Sequence, residues 1–454
     1  MLVASLAVLS AVFLLLGSMQ GPKLSSAVVD PARVTEQPGQ QLRLFANQPL
    51  GEVTAEQVTV TPEADVSVSV QNELLIVQFE QRLRYGTEYT VEVNDVAATS
   101  RDATATFTHR FTTAGASLLY LDRGDVVDEV LRAPLDGTGR GEVVYAAEGI
   151  QHIAPIENVI VVARDAPGGT SVLESVSSDG GVQQLRLPEG VRVDRLVVPP
   201  FGTLLGMVLT TVSPTENEGE SLDEVQQGGG LDEAFAVVDL TSEGIVAVVP
   251  GLDGAPIHTL DAEFLPDGAT LIVHALDQTL LRVELVGAPV ALPIGQVPKM
   301  FGLSTDGTRL TGSDAFGGVV LDLATAVESR LDPSLVEGEL AFGGEAVFTR
   351  TELRIQKVAV VDTATAAVRV LLVADDGSGV ARVLLRTADD RGSIGDFMIS
   401  PNDQYVAVEV TPSVADAVPD ARPVNGRPTS VTTIVIDIES GAVVRTLQGF
   451  TPIW

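Results

Sequence analysis

The chain has 454 residues, 28 of them basic and 61 acidic, giving a net charge of −33. A hydrophobic fraction of 45% excludes a wholly disordered chain, and the length suits two or more domains. The absence of cysteine excludes disulfides, thiolate metal sites, thiol nucleophiles and a lipid-modified N-terminal cysteine. The acidity argues against nucleic acid, because a phosphate backbone needs clustered Lys and Arg. Three lysines (Lys23, Lys299, Lys357) stand against 25 arginines, a bias read as genome composition and not as an arginine-specific site.

Residues 1–27 read as a transmembrane anchor or signal segment. Leu2–Met19 runs eighteen residues without charge or proline, roughly 27 Å as a helix at ~1.5 Å per residue, which matches a hydrocarbon core. No basic flank precedes Leu2, and Lys23 lies on the opposite side, which points to a start further upstream. Ser25-Ser26-Ala27 offers small residues to a peptidase. A retained anchor and a cleaved signal both stay open. The expected location is the cell membrane, single-pass with extracellular bulk, or else secretion.

Residues 30–114 predict a β-sandwich. QLRLFAN, QVTVTP, VSVSVQ, ELLIVQFE, EYTVEVNDV and ATFTHRFTT alternate with period 2 between Pro, Asn and Gly breaks. The stretch LRYGTEYTVEVNDVAATSRDATATFTHRFTT resembles the end of bacterial SbsA-type Ig-like domains. The matching residues are Leu83, Gly86, Thr87, Tyr89, Val91, Val93, Phe111, Thr112 and Thr113. The resemblance implies a spacer or adhesion module without catalytic residues, with Tyr89 buried and its hydroxyl satisfied.

Residues 116–454 predict a repeat array. A strand–turn–strand signal appears as PIENVIVVA (155–163), PPFGTLLGMV (199–208), FLPDGATLIV (264–273), LSTDGTRLTG (303–312), FGGEAVFT (342–349) and ISPNDQYVAV (399–408). A third-strand signal recurs at 130–139, 173–181, 237–244, 281–288, 320–326, 360–367 and 435–442. Four-stranded units of roughly 48 residues indicate a seven-bladed β-propeller, with eight blades as the alternative. Between 337 and 393 there is one strand too many. VRVLLVADDGSGVARVLLRT (368–387) is expected to form the hairpin of strands three and four, with KVAVVDT as an insertion. The phrases ISPND with YVAVEV and FLPDG with TLIVHA resemble TolB-type and WD-type propellers, although the WD dipeptide is absent. The fold class is therefore all-β after the N-terminal membrane or signal helix. GFTPIW is expected to pair beside LLYL (118–121) and close the ring.

Chemistry is sparse. No Gly-x-Ser-x-Gly elbow, His-Glu-x-x-His pair or phosphate-cradling loop occurs, and no catalytic, cofactor-binding or metal residue is assigned. Of the histidines His109, His152, His258 and His274, the last two flank one turn and should be diagonal neighbours, with Asp261 pointing away. Two histidines without a third ligand make a poor zinc site, so polar packing is expected. DDGSG (375–379) and LDGTG (135–139) lack calcium-loop spacing and read as tight turns. One Trp and five Tyr disfavour sugar stacking.

Two insertions point towards function. TVSPTENEGESLDEVQQGGGLDE (211–233) carries seven acids and no base, and TPSVADAVPDARPVNGRPTS (411–430) is proline-rich and charge-balanced. Either both are solvated, tolerated loops, or they form a partner-contacting rim. Both fall between second and third strands, hence on one propeller face. The expected role is non-enzymatic binding or scaffolding at a bacterial surface, with a basic protein partner at the cell envelope and the membrane held through the N-terminal segment. The alternative is a hydrolase or lyase acting on envelope polysaccharide. Clustered His, Arg and carboxylates at the central channel would favour the enzyme. A bare channel with apolar loops would favour binding.

Overall fold

A computed structural model describes residues 21–99, 101–212, 231–242, 244–287, 289–361, 368–388, 391–422 and 425–454. The apolar segment Leu2–Met19 lies outside these residues. Among the described residues no helix is long and apolar enough to cross a membrane. The chain divides into two compact units, Met1–Ala116 and Ser117–Trp454.

The first unit is a sandwich of two antiparallel sheets. One has the order Leu24–Val28, Gln41–Ala46, Leu74–Phe79, Val66–Gln71, and the other Val58–Thr61, Glu88–Ala98, Arg101–Thr112. The period-2 pattern does what it predicts: Leu42, Leu44 and Ala46 are buried while Arg43 and Phe45 face out. Leu42, Leu44, Leu75, Val77, Phe79, Val91, Val93 and Phe107 share one core between the sheets. Each fully buried side chain of this kind contributes about 1.5–3 kcal/mol. Tyr89 stacks on Phe111 at 5.9 Å, and its hydroxyl accepts a hydrogen bond from Arg84 N at 3.1 Å. Thr113 Oγ1 accepts from Thr87 N (2.9 Å) and donates to Arg84 O (2.6 Å). Gly86 takes φ +57°, a conformation open to glycine, and its N–H meets Ala114 O at 2.9 Å. Residues spaced as Gly-Thr-x-Tyr and Phe-Thr-Thr thus tie the start of one strand to the end of the next.

The second unit is a seven-bladed β-propeller. Its seven sheets are antiparallel meanders taken in chain order. Six are built from consecutive strands. The remaining one joins Ser117–Asp122, Asp128–Pro134 and Glu142–Ala147 to Phe450–Ile453, with Phe450 opposite Leu121 and Ile453 opposite Leu119. Both ends of the array thus meet in blade one, as the sequence predicted. The innermost strands of blades one to seven are Phe450–Ile453, Ile150–Ile156, Val191–Val197, Thr259–Phe264, Lys299–Leu303, Glu339–Phe348 and Ser393–Ile399.

Blade six corrects the predicted phase. KVAVVDT is no insertion: its first residues belong to the second strand, Arg354–Val361, and the third strand is Val368–Asp375. Of the third-strand signal at 360–367, Val360 and Val361 therefore end a second strand, and 362–367 lie outside the described residues. FGGEAVF (342–348) likewise lies within the first strand, and the turn follows at 349–353.

Blade cores lie between neighbouring sheets. Leu173 and Leu185 of blade two pack with Val193, Leu205 and Met207 of blade three. Phe235 of blade three packs with Leu271 and Val273 of blade four. Second strands are covered on both faces, so they read as continuous apolar runs: Thr270–Ala275 is buried at all six positions.

Every innermost strand carries an irregularity in its pairing with the second strand. The register shifts at Phe450/Ile453, Ile150/His152, Val193/Arg195, Thr259/Asp261, Met300/Gly302, Gly343/Ala346 and Ile394/Phe397. A bulge inserts an unpaired residue and re-aims the side chains beside it.

Candidate functional site

These bulges gather the polar groups of the propeller's inner wall. At or beside them stand His152, Asp194, Arg195, Asp261, Glu345, Asp396 and Thr451. Arg195 of blade three pairs with Asp261 of blade four. Glu263 accepts a hydrogen bond from Leu303 N of blade five at 2.9 Å. Lys357 of blade six pairs with Glu345 at 3.2 Å and donates to Gly395 O of blade seven at 3.0 Å. Glu409 of blade seven accepts from Thr451 N of the closing strand at 2.8 Å and pairs with Arg427 at 3.4 Å. Most of these charges are committed to neighbouring blades.

Their electrostatics follow from crowding. Glu263 keeps some accessible surface, but its carboxyl sits deep among the inner strands. Desolvation, with Asp261 and Glu345 nearby, pushes it up to about 8, against the pull of Leu303 N. Burial also raises Glu345 and Glu409, despite Lys357 and Arg427 beside them. His152 is held down at about 4 by desolvation and by repulsion from Arg123 and Arg195, so it is neutral at pH 7. Its Nε2 is buried without a hydrogen-bond partner. Glycines aside, nothing local in the sequence marks this wall, because 61 acids conceal any particular few. Gly302, Gly343, Gly344 and Gly395, small residues at the bulges, were the available signal.

The histidine pair does not assemble. Leu276 N bonds to His258 O as the predicted register requires, but the bulge puts Asp261, not residue 260, opposite His274. His274 is buried, with Nε2 donating to Val297 O at 2.7 Å, while exposed His258 donates from Nδ1 to Asp232 O. His109 lies in the sandwich, half-buried beside Phe111, and desolvation lowers its pKa. Among the described residues no group of three or more His, Asp or Glu is arranged to hold a metal ion. In DDGSG, Asp375 accepts from Gly377 N (2.7 Å) and from Arg354 (2.6 Å), and Asp376 accepts from Ser378 N (3.0 Å), as in a tight turn.

The two insertions differ. Residues 213–230 lie outside the described residues. The ends of that insertion are joined by Thr211 N to Leu231 O and Leu231 N to Thr211 Oγ1, both 2.7 Å. The second insertion is a strap, which the reading as a tolerated loop did not anticipate. Arg422 pairs with buried Asp128 at 3.0 Å, and Asn425 Nδ2 donates to Gln151 O at 2.8 Å. Arg123 and Arg427 both lie over the Phe450 ring, at 4.9 and 5.6 Å. The strap therefore runs from blade seven across blade one to blade two.

Large apolar side chains are exposed on loops joining second and third strands: Val126 in blade one, Leu276 in blade four, Phe316 in blade five, and Val414 and Val418 in the strap. Phe316 is 88% exposed.

No family model and no curated protein matches the chain. Solved structures that it resembles include dihydro-heme d1 dehydrogenase NirN in complex with DHE, at 13% identity and TM-score 0.41, covering 74% of each chain. A prolyl endopeptidase aligns at 12% identity and TM-score 0.47, over 72% of this chain and 49% of its own. A putative TolB from Agrobacterium tumefaciens aligns at 14% identity and TM-score 0.35, over 74% and 90%. At such scores the propeller assignment rests on this chain's own sheet order and ring closure, and no ligand or activity is transferred.

Proposed function

We propose that this is an exported bacterial surface protein, held at the membrane by its N-terminal segment. An Ig-like sandwich of SbsA type serves as a spacer module, and the propeller binds a protein partner without catalysis. The observation that carries this reading is the set of exposed apolar side chains on the loops between second and third strands, led by Phe316. Phe316 and Leu276 rise from the corresponding loops of adjacent blades, five and four, on the face to which both long insertions belong. The inner wall does gather a histidine, an arginine and carboxylates, as an enzyme would, but Arg195, Asp261, Glu345, Lys357 and Glu409 are held in ion pairs, which weakens that support for chemistry. The first insertion, with seven acids and no base, favours a basic partner and repels anionic wall polymer at low salt. The contacts of Gly86, Thr87, Tyr89 and Thr113 support the Ig-like reading of the sandwich.

The test is capture from membranes. The Leu276→Asp/Phe316→Asp protein, and one with 213–230 shortened to a Gly-Ser turn, should melt like the parent and lose a partner that the parent captures. Unchanged capture by both would overturn the reading.

One observation favours the polysaccharide hydrolase or lyase: His152, a neutral imidazole with a free Nε2 near Arg195 and Asp194. Cleavage of wall polysaccharide by the parent, lost in His152→Ala, would replace the binding proposal. A parent protein inert on wall polysaccharide would remove the alternative.

A further inference from the structure

The outermost strands of the propeller are mostly blunted. Ala247–Val248 and Glu328–Arg330 are two and three residues long. Val290–Gln296 carries Pro293 and a register shift, Glu142–Ala147 is bulged, and Arg382–Arg386 begins and ends on arginine. Short length, proline, bulges and charge are the devices that keep a sheet edge from pairing with another chain.

Val66–Gln71, an edge strand of the sandwich, has none of them. Its sequence VSVSVQ is uncharged and free of proline, and it pairs with Leu74–Phe79 over six positions without a register shift. The short turn Ala55–Gln57 lies near it. Among the described residues no other backbone hydrogen bond reaches these six residues, so their outward N–H and C=O groups lack protein partners. Val66, Val68 and Val70 lean on the sandwich core, and Ser67, Ser69 and Gln71 face solvent. An added strand would therefore continue an apolar face and a polar face.

The flanks choose the occupant. Glu63 and Asp65 precede the strand and Glu73 follows it, all exposed and none in an ion pair among the described residues. A second copy, paired antiparallel about Val68, would set Glu63 opposite Glu73 at both ends, and like charges directly opposed are destabilising. A strand with cations at its ends meets three unneutralised carboxylates instead. We propose that Val66–Gln71 is a strand-addition site for an extended segment of another protein, alternating apolar and small polar side chains, with Lys or Arg at both ends. This proposal does not rest on the reading of the propeller's function.

The experiment uses the full chain and three synthetic peptides. All share a Thr-Val-Thr-Val-Thr centre. One is flanked by lysines, one by glutamates, and one by lysines with proline replacing the middle threonine. Hydrogen exchange at 66–71 and fluorescence anisotropy report binding. The lysine peptide should slow alternate amides within 66–71 and bind about tenfold tighter than the glutamate peptide at low salt, with the advantage shrinking as salt rises. The proline peptide should not protect them. A Glu63→Lys/Glu73→Lys protein, altered only at exposed sites, should reverse the preference. Unchanged exchange at 66–71 with the lysine peptide, or an unreversed preference, would overturn the proposal. So would dimerisation of the protein alone that Ser67→Lys abolishes, since the occupant would then be a second copy.

Discussion

Arg123 and Asp420 form an ion pair at 2.5 Å, with side chains only 6% and 10% exposed, across 297 positions of sequence. Arg123 also donates to Asn425 O and Gln151 Oε1, both at 2.9 Å, so one guanidinium joins blade one, blade two and the strap. Removing one partner of such a buried pair leaves an uncompensated charge, at a cost of about 3–5 kcal/mol. Asp420→Ala should lower stability by about that much in urea unfolding. Replacing 412–429 by a Gly-Ser turn should do the same. A shift below about 0.5 kcal/mol would mean that the strap merely rests on the ring.

Ring closure gives a second expectation. Phe450 is buried beside Leu121 and lies under two guanidinium groups. Truncating a core phenylalanine to alanine costs about 3–5 kcal/mol. Phe450→Ala should fall in that range, and deletion of 450–454 should further expose the edge of Ser117–Asp122 and cause aggregation on mild heating. A melting temperature unchanged by the deletion would refute closure by this strand.

Stability should carry the imprint of Glu263. Folding raises its pKa from 4.5 to about 8, so the folded chain holds this proton more tightly than the unfolded one. The resulting stabilisation is complete below about 4.5 and is lost as pH rises towards 8. Glu345 and Glu409 shift the same way and add to the trend in any variant that keeps them. Glu263→Gln should therefore decline less between pH 5 and pH 8 than the parent, as read from denaturation midpoints. Parallel profiles would show that this carboxyl is well solvated.

In the sandwich, Tyr89→Phe removes the acceptor for the Arg84 amide. An unsatisfied buried donor costs about 1–3 kcal/mol, and the loss should appear in the transition of the first unit. Gly86→Ala has open space for its methyl but a φ of +57°, and should cost about 1 kcal/mol. If both substitutions are neutral, the turn that they share is not under strain or load.

Much of the fold was legible because burial on both faces writes continuous apolar strands such as TLIVHA, and tight turns write Asp-Gly and Asn-Asp. What escaped was phase and irregularity. KVAVVDT ends in a third-strand phrase, yet a second strand in blade six has the same apolar content, and only the pairing of Arg354 with Asp375 separates the two. His274 fell one residue out of register because no local pattern marks Leu260 as the residue inserted by the bulge. The strap could not be told from a tolerated loop, since its value lies in partners nearly 300 positions away. The inner wall was hidden for the same reason: Arg195 and Asp261 become neighbours only when blades three and four pack.

The split blade also sets an order of events in synthesis. Ser117–Asp122 acquires its inner neighbour only when residues 450–453 exist, over three hundred positions later. At ~5–20 residues per second that wait lasts roughly 15–65 s. Throughout it, blade one presents an open hydrogen-bonding rim and the unfilled hollow that Phe450 will occupy. The part of the propeller made first is thus the part completed last. A nascent chain stalled before residue 450 would offer that rim to chaperones, proteases or other copies of itself.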